Sequence, residues 1–478
     1  MNTFDSSSRL RIPPSPTGSL HLGTARTALY NMLLCKRYQG TLIFRLEDTD
    51  KERSKSEYVS DIINGFKWLG IEWDEGPFRQ SEHSFRHKLV VQELLNKNLA
   101  YECFCSQEDL DILRAEQRKN NQAEGYDNKH RNLTIEEKEN FRKLGKKPVI
   151  RFKLNENEDI IWQDLVKGEI KINTSDLGGD PVIAKENGDV LYNFAVVVDD
   201  HDARITHVVR GEDHLHNTAK QIALYKGLDW DVPIFGHVPL IFSEHKEKLS
   251  KRKHGDIANV SNYKNKGYLA EAIINYLIAM SWTYPEQGRE IFSLEEAIEV
   301  FDIEKMSKSP AIYDQNKLEW FCKEYFKRLS SEEVLEKAKE FFKDKETIIN
   351  FSLYSEQELI SMFSLVKDGL VKIIDLEESL NFFFQDTIEI EKSSFDDLPQ
   401  AFDILKTMHK LLISQEESTQ DPKKLLNTLS LKTEIKKGKN LFFPIRLVIS
   451  GTTHGPDLAE SLRILGNEKV IKRIEKVI

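Results

Sequence analysis

The sequence predicts an α/β chain. A doubly wound sheet domain carries an α+β insertion between its halves, and an all-α C-terminal region follows. Three observations predict this. The opening segment alternates strand, glycine-bearing loop, helix and strand; residues of about 90 to 190 break that order with charged helices and short mixed strands; and beyond residue 260 almost everything has the periodicity of an amphipathic helix.

Taken in order, "RLRIPP" is a short extended run and "SPTGSLHLG" the loop after it. "TARTALYNMLLCKRYQG" has helical periodicity with a glycine stop, "TLIFRLED" is a second strand, and "SKSEYVSDIINGFKWLG" is a second glycine-closed helix. In the inserted stretch, "PVIRFKL", "GEIKIN" and "DPVIAKENGDV" read as strands. "LYNFAVVVDDHD" then reads as an apolar strand and "ARITHVVRG" as another. A helix is expected in "EDHLHNTAKQIALYKGLDW" and a last strand in "IFGHVPLIF". No internal repeat or low-complexity tract interrupts the chain.

The 478 residues suffice for two to four domains. A composition 40% hydrophobic and 31% charged is that of a soluble globular protein, and no run is long enough to span a membrane. The start "MNTFDSSSRL" lacks the apolar stretch of a signal peptide. Four cysteines, two of them in "CFC", suggest a reducing, cytoplasmic setting rather than a disulfide framework. A net charge of −10 argues against a nonspecific nucleic-acid coat. Local basic surface is still available, because residues 423–478 hold twelve Lys or Arg against five Asp or Glu. Taken alone, that run is equally a solvated helical face.

Two loops carry the chemistry. In "SPTGSLHLGTAR" a strand end turns through Gly18 into a helix starting near Gly23. Small residues let backbone approach a nucleotide, the helix N-terminus favours negative charge, and His21 stands where an imidazole can donate to phosphate oxygens. A glycine loop and a histidine are individually weak signals; the whole string resembles the "HIGH" signature of class I aminoacyl-tRNA synthetases, with His21-Leu22-Gly23-Thr24 as its version. Such chemistry needs a second, lysine-bearing loop at the carboxyl edge of the sheet's other half. Two strings compete for it. "KMSKS" (305–309) matches that family's ATP-loop signature letter for letter but follows the helical "SLEEAIEVF"; "KLSKR" (248–252) leaves the strand "HVPLIF" directly. Position favours 248–252 over the better match.

Further strings resemble one family, the bacterial-type glutamyl-tRNA synthetases: "RIPPSPTGSLHLGTARTALYN", "FRLEDTD", "FKWLGIEWDEGPFRQSE", "YNFAVVVDDHDARITHVVRGEDH" and "KLSKRKHG". "SPAIYDQNKLEWF" and "FFPIRLVISGTTHGPDLAESLRILGNEKVIKRIEK" resemble its stem-contact and anticodon-binding regions, so the likeness runs nearly full length. It implies a class I Rossmann-like catalytic domain in two halves (1–88 and 191–247), an acceptor-end-binding insertion (89–190), a loop and helical stem-contact domain (248–325), and all-α anticodon-binding domains (326–478).

The same resemblance implies site roles. Arg11 and Arg210, at predicted strand ends, would hold a glutamate side chain, helped by Ser15 and Tyr192, while Glu47 would receive the α-ammonium. Thr17, Gly18, His21, Gly23, Asp213, His214, Lys248, Ser250 and Lys251 would surround ATP, with His21, Lys248 and Lys251 stabilising charge on the phosphates. Mg²⁺ would accompany ATP. The substrate carboxylate is itself the nucleophile, so no enzymic acid or base is required for the first step. Pro13 departs from the small residue of some relatives, although its carbonyl remains an acceptor.

Two other departures carry expectations. Cys103, Cys105 and His130 invite a zinc reading, but Asn132 stands where relatives have a fourth ligand, so zinc is not expected. In "SLVKDGLVKII", read as a helix, Gly369 replaces an arginine that relatives use to reject tRNA(Gln). The implied partners are therefore tRNA(Glu) together with tRNA(Gln), with a downstream amidotransferase, acting on a monomer. The alternatives are a glutaminyl-tRNA synthetase, whose relatives end in β-barrels, and an inactive tRNA-binding paralogue. Other nucleotidyl transferases and truncated glutamyl-queuosine relatives lack a long helical body.

Overall fold

Arg9–Ile12 forms the first strand (β1), and Leu22–Tyr38 the helix (α1) that returns the chain to β2 (Thr41–Leu46). This computed structural model describes residues 4–50, 52–415 and 417–478, and the backbone alone at 251, 252, 256, 392, 417 and 418. α1 is buried along nearly its whole apolar length, from Leu22 to Cys35, and each fully buried leucine there is worth ~2 kcal/mol. It ends on Gln39 in the left-handed region (φ 58°) rather than on glycine. Gly40 is needed for a different reason: a Cβ there would stand 2.6 Å from the Ser8 carbonyl oxygen. α2 (Ser56–Trp68) does end as expected, with Gly70 at φ +62°, and leads to β3 (Glu75–Arg79).

β1, β2 and β3 are parallel in the order β1-β2-β3, with Arg11 beside Ile43 and Arg45 beside Phe78. After α3 (Ser84–Asn96) comes the inserted segment. It comprises β4 (Ala100–Cys103), α4 (Gln107–Lys119), α5 (Ile135–Lys143), β5 (Val149–Phe152), the hairpin β6 (Asp159–Asp164) and β7 (Gly168–Asn173), and β8 (Val182–Ala184). β4, β5 and β8 pair antiparallel, so this segment has its own sheet.

"LYNFAVVVDDHD", expected as a strand, is the helix α6 (Tyr192–Asp202). A run of valines buried on all sides has no amphipathic period, so its β-branched composition misled the sequence reading. The sheet's second half is β9 (His207–Gly211), α7 (Leu215–Gly227) and β10 (Ile234–Val238), with β9 and β10 parallel. Thr206 joins the halves: its amide donates to the Arg9 carbonyl (3.0 Å), and its hydroxyl accepts from the Arg9 amide (2.8 Å). The pair β9-β10 therefore lies against β1 of the three-stranded sheet β1-β2-β3. In such a sheet the ligand crevice lies beyond the carboxyl ends of β1 and β9.

β11 (Ile241–Phe242) pairs parallel with β12 (Ala311–Ile312). Between them lie α8 (Lys251–His254), α9 (Val260–Lys266), α10 (Ala270–Ala279) and α11 (Leu294–Val300). The chain divides into two compact units, residues 1–264 with 273–315 and residues 265–272 with 316–478. Among the described residues no strand follows Ile312. Gly369 lies in a 3-10 turn, Lys367–Gly369, just past the helix Glu356–Val366, rather than inside a helix as expected. No helix among the described residues is long and apolar enough to cross a membrane.

Candidate active site

The loop Pro13–Leu20 leaves the carboxyl end of β1 and is tied down by backbone. Glu47 N donates to Pro14 O (3.0 Å) and Lys55 N to Pro16 O (3.1 Å). His21 then caps α1, its Nδ1 accepting from Gly23 N at 3.0 Å. A Cβ on Gly23 would lie 3.3 Å from that nitrogen, so the small residue keeps the cap close. The Leu20 carbonyl accepts from Val260 N (3.0 Å) and His21 bridges Asn259, which ties this loop to the chain just after "KLSKR".

The second loop arrives where the first requires it. Lys248 bridges Phe242 of β11, Leu249 N donates to Ile241 O (2.8 Å), and Lys248 Nζ reaches Asp213 Oδ2 at 2.8 Å. Burial raises the Asp213 pKa, but Lys248, with His214 and the backbone, outweighs it and leaves the carboxyl below its ordinary value. The Lys251 side chain lies outside the described residues. "KMSKS" sits elsewhere: Ile303–Lys305 is a 3-10 turn, and Lys308 Nζ donates to the Lys167 carbonyl (3.3 Å) on the β6–β7 turn.

Between the ends of β1 and β9 lies a cavity of about 340 Å³. Arg11, Ser15, Glu47, Tyr192 and Arg210 all line it. So do Thr17, Gly18, His21 and His214, whereas Gly23, Asp213, Lys248 and Ser250 do not. Both arginines are buried, and among the described residues the Nη1 of each has no hydrogen-bond partner. A buried guanidinium nitrogen without an acceptor is costly, and an anion in the cavity would supply one.

The surrounding charges explain how these groups are held. Asp200 lies 3.2 Å from Arg11 Nε and 2.7 Å from Arg45 Nη1, and Arg45 Nη2 lies 3.3 Å from Glu47 Oε1. Burial is the largest influence on the Glu47 carboxyl and leaves its pKa raised despite Arg45 and Arg11. Arg210 Nη2 donates to Thr218 Oγ1 (2.7 Å) and Gln221 Oε1 (2.8 Å), and burial lowers its pKa. Burial also keeps the Tyr192 phenol protonated and, helped by Arg210, holds His214 down to about 4. Arg11, Arg45 and Arg210 share this region with Asp200, Glu47 and Asp199, which also acts on Arg45. Asp200, Arg45 and Thr218 were not singled out from sequence; "DDHD" and "FRLED" held the signal, but which carboxylate meets which arginine depends on α6 being a helix.

Cys103, Cys105 and His130 do come together, their donor atoms within 4.8 Å of one another, while Asn132 is exposed. The Cys103 sulfur accepts from Cys105 and interacts with the Tyr126 hydroxyl (3.4 Å), which lowers its pKa and raises that of Cys105. Among the described residues this group offers three thiol or imidazole ligands, one short of a structural zinc site.

Comparison with known proteins decides the family. Residues 7–320 match the family described as "tRNA synthetases class I (E and Q), catalytic domain", and residues 333–478 match "Anticodon binding domain". The chain belongs to the class I tRNA synthetases of the E and Q group. This synthetase is 41% identical to the glutamate–tRNA ligase of Bacillus subtilis over 98% of its own length and 99% of the relative's. It is 40% identical to that of Prochlorococcus marinus, with the same coverage. A crystal structure of a glutamate tRNA ligase from Elizabethkingia meningosepticum, in complex with its amino acid, superposes with a TM-score of 0.86 at 30% identity, covering 98% of this chain and 99% of that one. This class I synthetase is thus an enzyme, with a helical anticodon-binding region after its α/β catalytic part.

Proposed function

We propose that this synthetase is a glutamate–tRNA ligase. It activates L-glutamate with ATP and passes the glutamyl group to the 3′-terminal adenosine of tRNA(Glu). One observation supports the reading: Arg11, Arg210 and Glu47 line one cavity, and among the described residues the buried Nη1 of each arginine has no hydrogen-bond partner. Glutamate brings two carboxylates, for which the two arginines are candidate partners, and one ammonium, for which Glu47 is. Glutamine has one carboxylate fewer and would leave a buried guanidinium without its anion, a penalty of several kcal/mol. The helical C-terminal region likewise favours this reading over a glutaminyl enzyme.

In the first step the α-carboxylate of glutamate attacks the α-phosphorus of ATP. The bond to the bridging oxygen breaks, and pyrophosphate leaves with its electron pair. The N-terminus of α1, capped by His21, and the lysines of the 248–252 loop stabilise charge on the phosphates. Mg²⁺ enters with ATP as part of that substrate. In the second step the terminal ribose hydroxyl attacks the acyl carbon and AMP departs. Residues 89–190 would hold the acceptor end and 326–478 the anticodon, in a cytoplasmic monomer whose four cysteines are free thiols. Charging assays with glutamate and glutamine on purified tRNA(Glu) test this. Faster charging with glutamine would overturn it.

A second reading concerns which RNA is charged. Gly369 presents no side chain, and nothing lies within 4 Å of where its Cβ would be, so no arginine reads an anticodon base from this turn. This supports a non-discriminating enzyme that also charges tRNA(Gln), with an amidotransferase completing the product. Aminoacylation of purified tRNA(Gln) decides it, and failure to charge that tRNA while tRNA(Glu) is charged well rejects it.

A further inference from the structure

Arg210 differs from Arg11 in how it is held. Arg11 rests against the carboxylate of Asp200, but among the described residues no carboxylate forms a salt bridge with Arg210. Its partners are neutral acceptors: Thr218 Oγ1 and Gln221 Oε1 on Nη2, and His237 Nε2 at 3.4 Å from Nε. The Thr218 hydroxyl lies 2.8 Å from the same His237 nitrogen. For Nε2 to accept from both, the imidazole must be neutral with its proton on Nδ1.

The structure supplies the group that puts it there. Asp164, fully buried at the end of β6, lies 2.5 Å from His237 Nδ1. Its other oxygen accepts from the amides of His237 (3.0 Å), Val166 (3.1 Å) and Lys167 (3.0 Å). The hairpin carrying Asp164 is itself fixed against β10. Leu165 N donates to Phe235 O (2.9 Å), and Gly236 leaves room for Leu165, whose Cβ would stand 3.3 Å from a Cβ there. Lys167 Nζ pairs with Glu212 and donates to the Lys308 carbonyl (2.7 Å). The "KMSKS" string is therefore part of the clasp on this hairpin.

We infer that Asp164 and His237 are positioning residues for Arg210. Asp164 selects the His237 tautomer, and His237 with Thr218 orients the guanidinium so that Nη1 remains for the substrate carboxylate. The physical advantage is that a carboxylate in direct contact would compete with the substrate for Arg210. With one imidazole between them, the arginine is oriented while its charge stays available. The inference rests on the assignment of Arg210 to substrate binding, made above.

The test measures KM for glutamate, ATP and tRNA separately in the charging reaction. His237→Leu removes the acceptor and is expected to raise the glutamate KM about tenfold, with the ATP and tRNA values within about twofold. His237→Gln restores an acceptor oxygen and should stay within about threefold of the parent. In an Arg210→Lys background, His237→Leu should add less than about a twofold change, because the two groups act as one unit. Should His237→Leu fail to fold, Thr218→Val must give the same glutamate-specific rise. An unchanged glutamate KM, a parallel rise in the ATP KM, or equal factors in both backgrounds overturns the inference. If Arg210→Lys itself leaves the glutamate KM unaltered, the site assignment fails and this inference with it.

Discussion

Arg11 Nε and Asp200 Oδ2 stand 3.2 Å apart, both side chains almost wholly buried. The other oxygen of the same carboxylate holds Arg45, which in turn holds Glu47. One aspartate on α6 thus anchors the groups proposed for the two charged ends of the substrate, Arg11 for a carboxylate and Glu47 for the ammonium. Asp200→Asn leaves two buried guanidinium groups short of an anion, and a loss of about 3–5 kcal/mol of stability is expected. The glutamate KM should rise at least tenfold in whatever folded protein remains. Chemical denaturation together with steady-state charging checks both, and wild-type values in either would contradict the anchoring role.

The two lysine-bearing strings should respond differently to truncation. Lys251→Ala is expected to slow adenylate formation by about 10² or more, the usual loss when a charge-stabilising group is removed. Lys308→Ala forfeits one exposed contact to the Lys167 carbonyl and should stay within about twofold. Single-turnover measurement of pyrophosphate release in the presence of tRNA gives the ranking; the reverse order would move the catalytic loop to 305–309.

His214 gives a pH signature. Its pKa is held down to about 4 in the folded chain, against an ordinary 6.5. Between those values the unfolded chain binds more protons, so stability is undiminished above pH 6.5 and falls as pH drops toward 4. His214→Asn removes this contribution and should flatten the loss between pH 7 and pH 5 by about 1 kcal/mol, allowing for partial exposure. Urea unfolding at the two pH values measures it, and an unaltered pH dependence would show that the imidazole is not held neutral.

Gly369 can accept a side chain without steric conflict, since nothing lies within 4 Å of its missing Cβ. Gly369→Arg should therefore change stability by less than about 0.5 kcal/mol. Charging of tRNA(Gln) is expected to fall at least about tenfold while that of tRNA(Glu) holds within about threefold, a difference of one or two base contacts. Parallel aminoacylation of the two purified tRNAs is the measurement. Equal effects on both would separate Gly369 from tRNA choice.

Much of the catalytic unit was legible in the residues because its signals are local. A strand running into Gly18 and a capped helix, two arginines at strand ends, and a lysine loop directly after "HVPLIF" each combine a backbone requirement with a charge. Such pairings survive without knowledge of what packs on what. Chain order alone singled out the imperfect "KLSKR" over "KMSKS", and its Lys248 Nζ lies 2.8 Å from Asp213 Oδ2. Where local pattern lost its period, the reading failed. In "LYNFAVVVDDHD" the run Phe194–Asp200 is wholly buried, so its helix left no amphipathic trace, and Asp199 and Asp200 could not be assigned a direction.

By itself, then, the sequence determined most of the order of elements, though not α6, the chain positions of the two loops, and the family. Tertiary structure alone decided how the buried charges are partnered: Asp200 shared by Arg11 and Arg45, and Arg210 given neutral acceptors with Asp164 one imidazole away. The reason is that buried charge is satisfied across the fold, between residues 189 apart in one case and 73 in another. "KMSKS", the most exact string in the chain, shows the same limit: its letters suggest a nucleotide loop, and its neighbours make it a clasp on a hairpin.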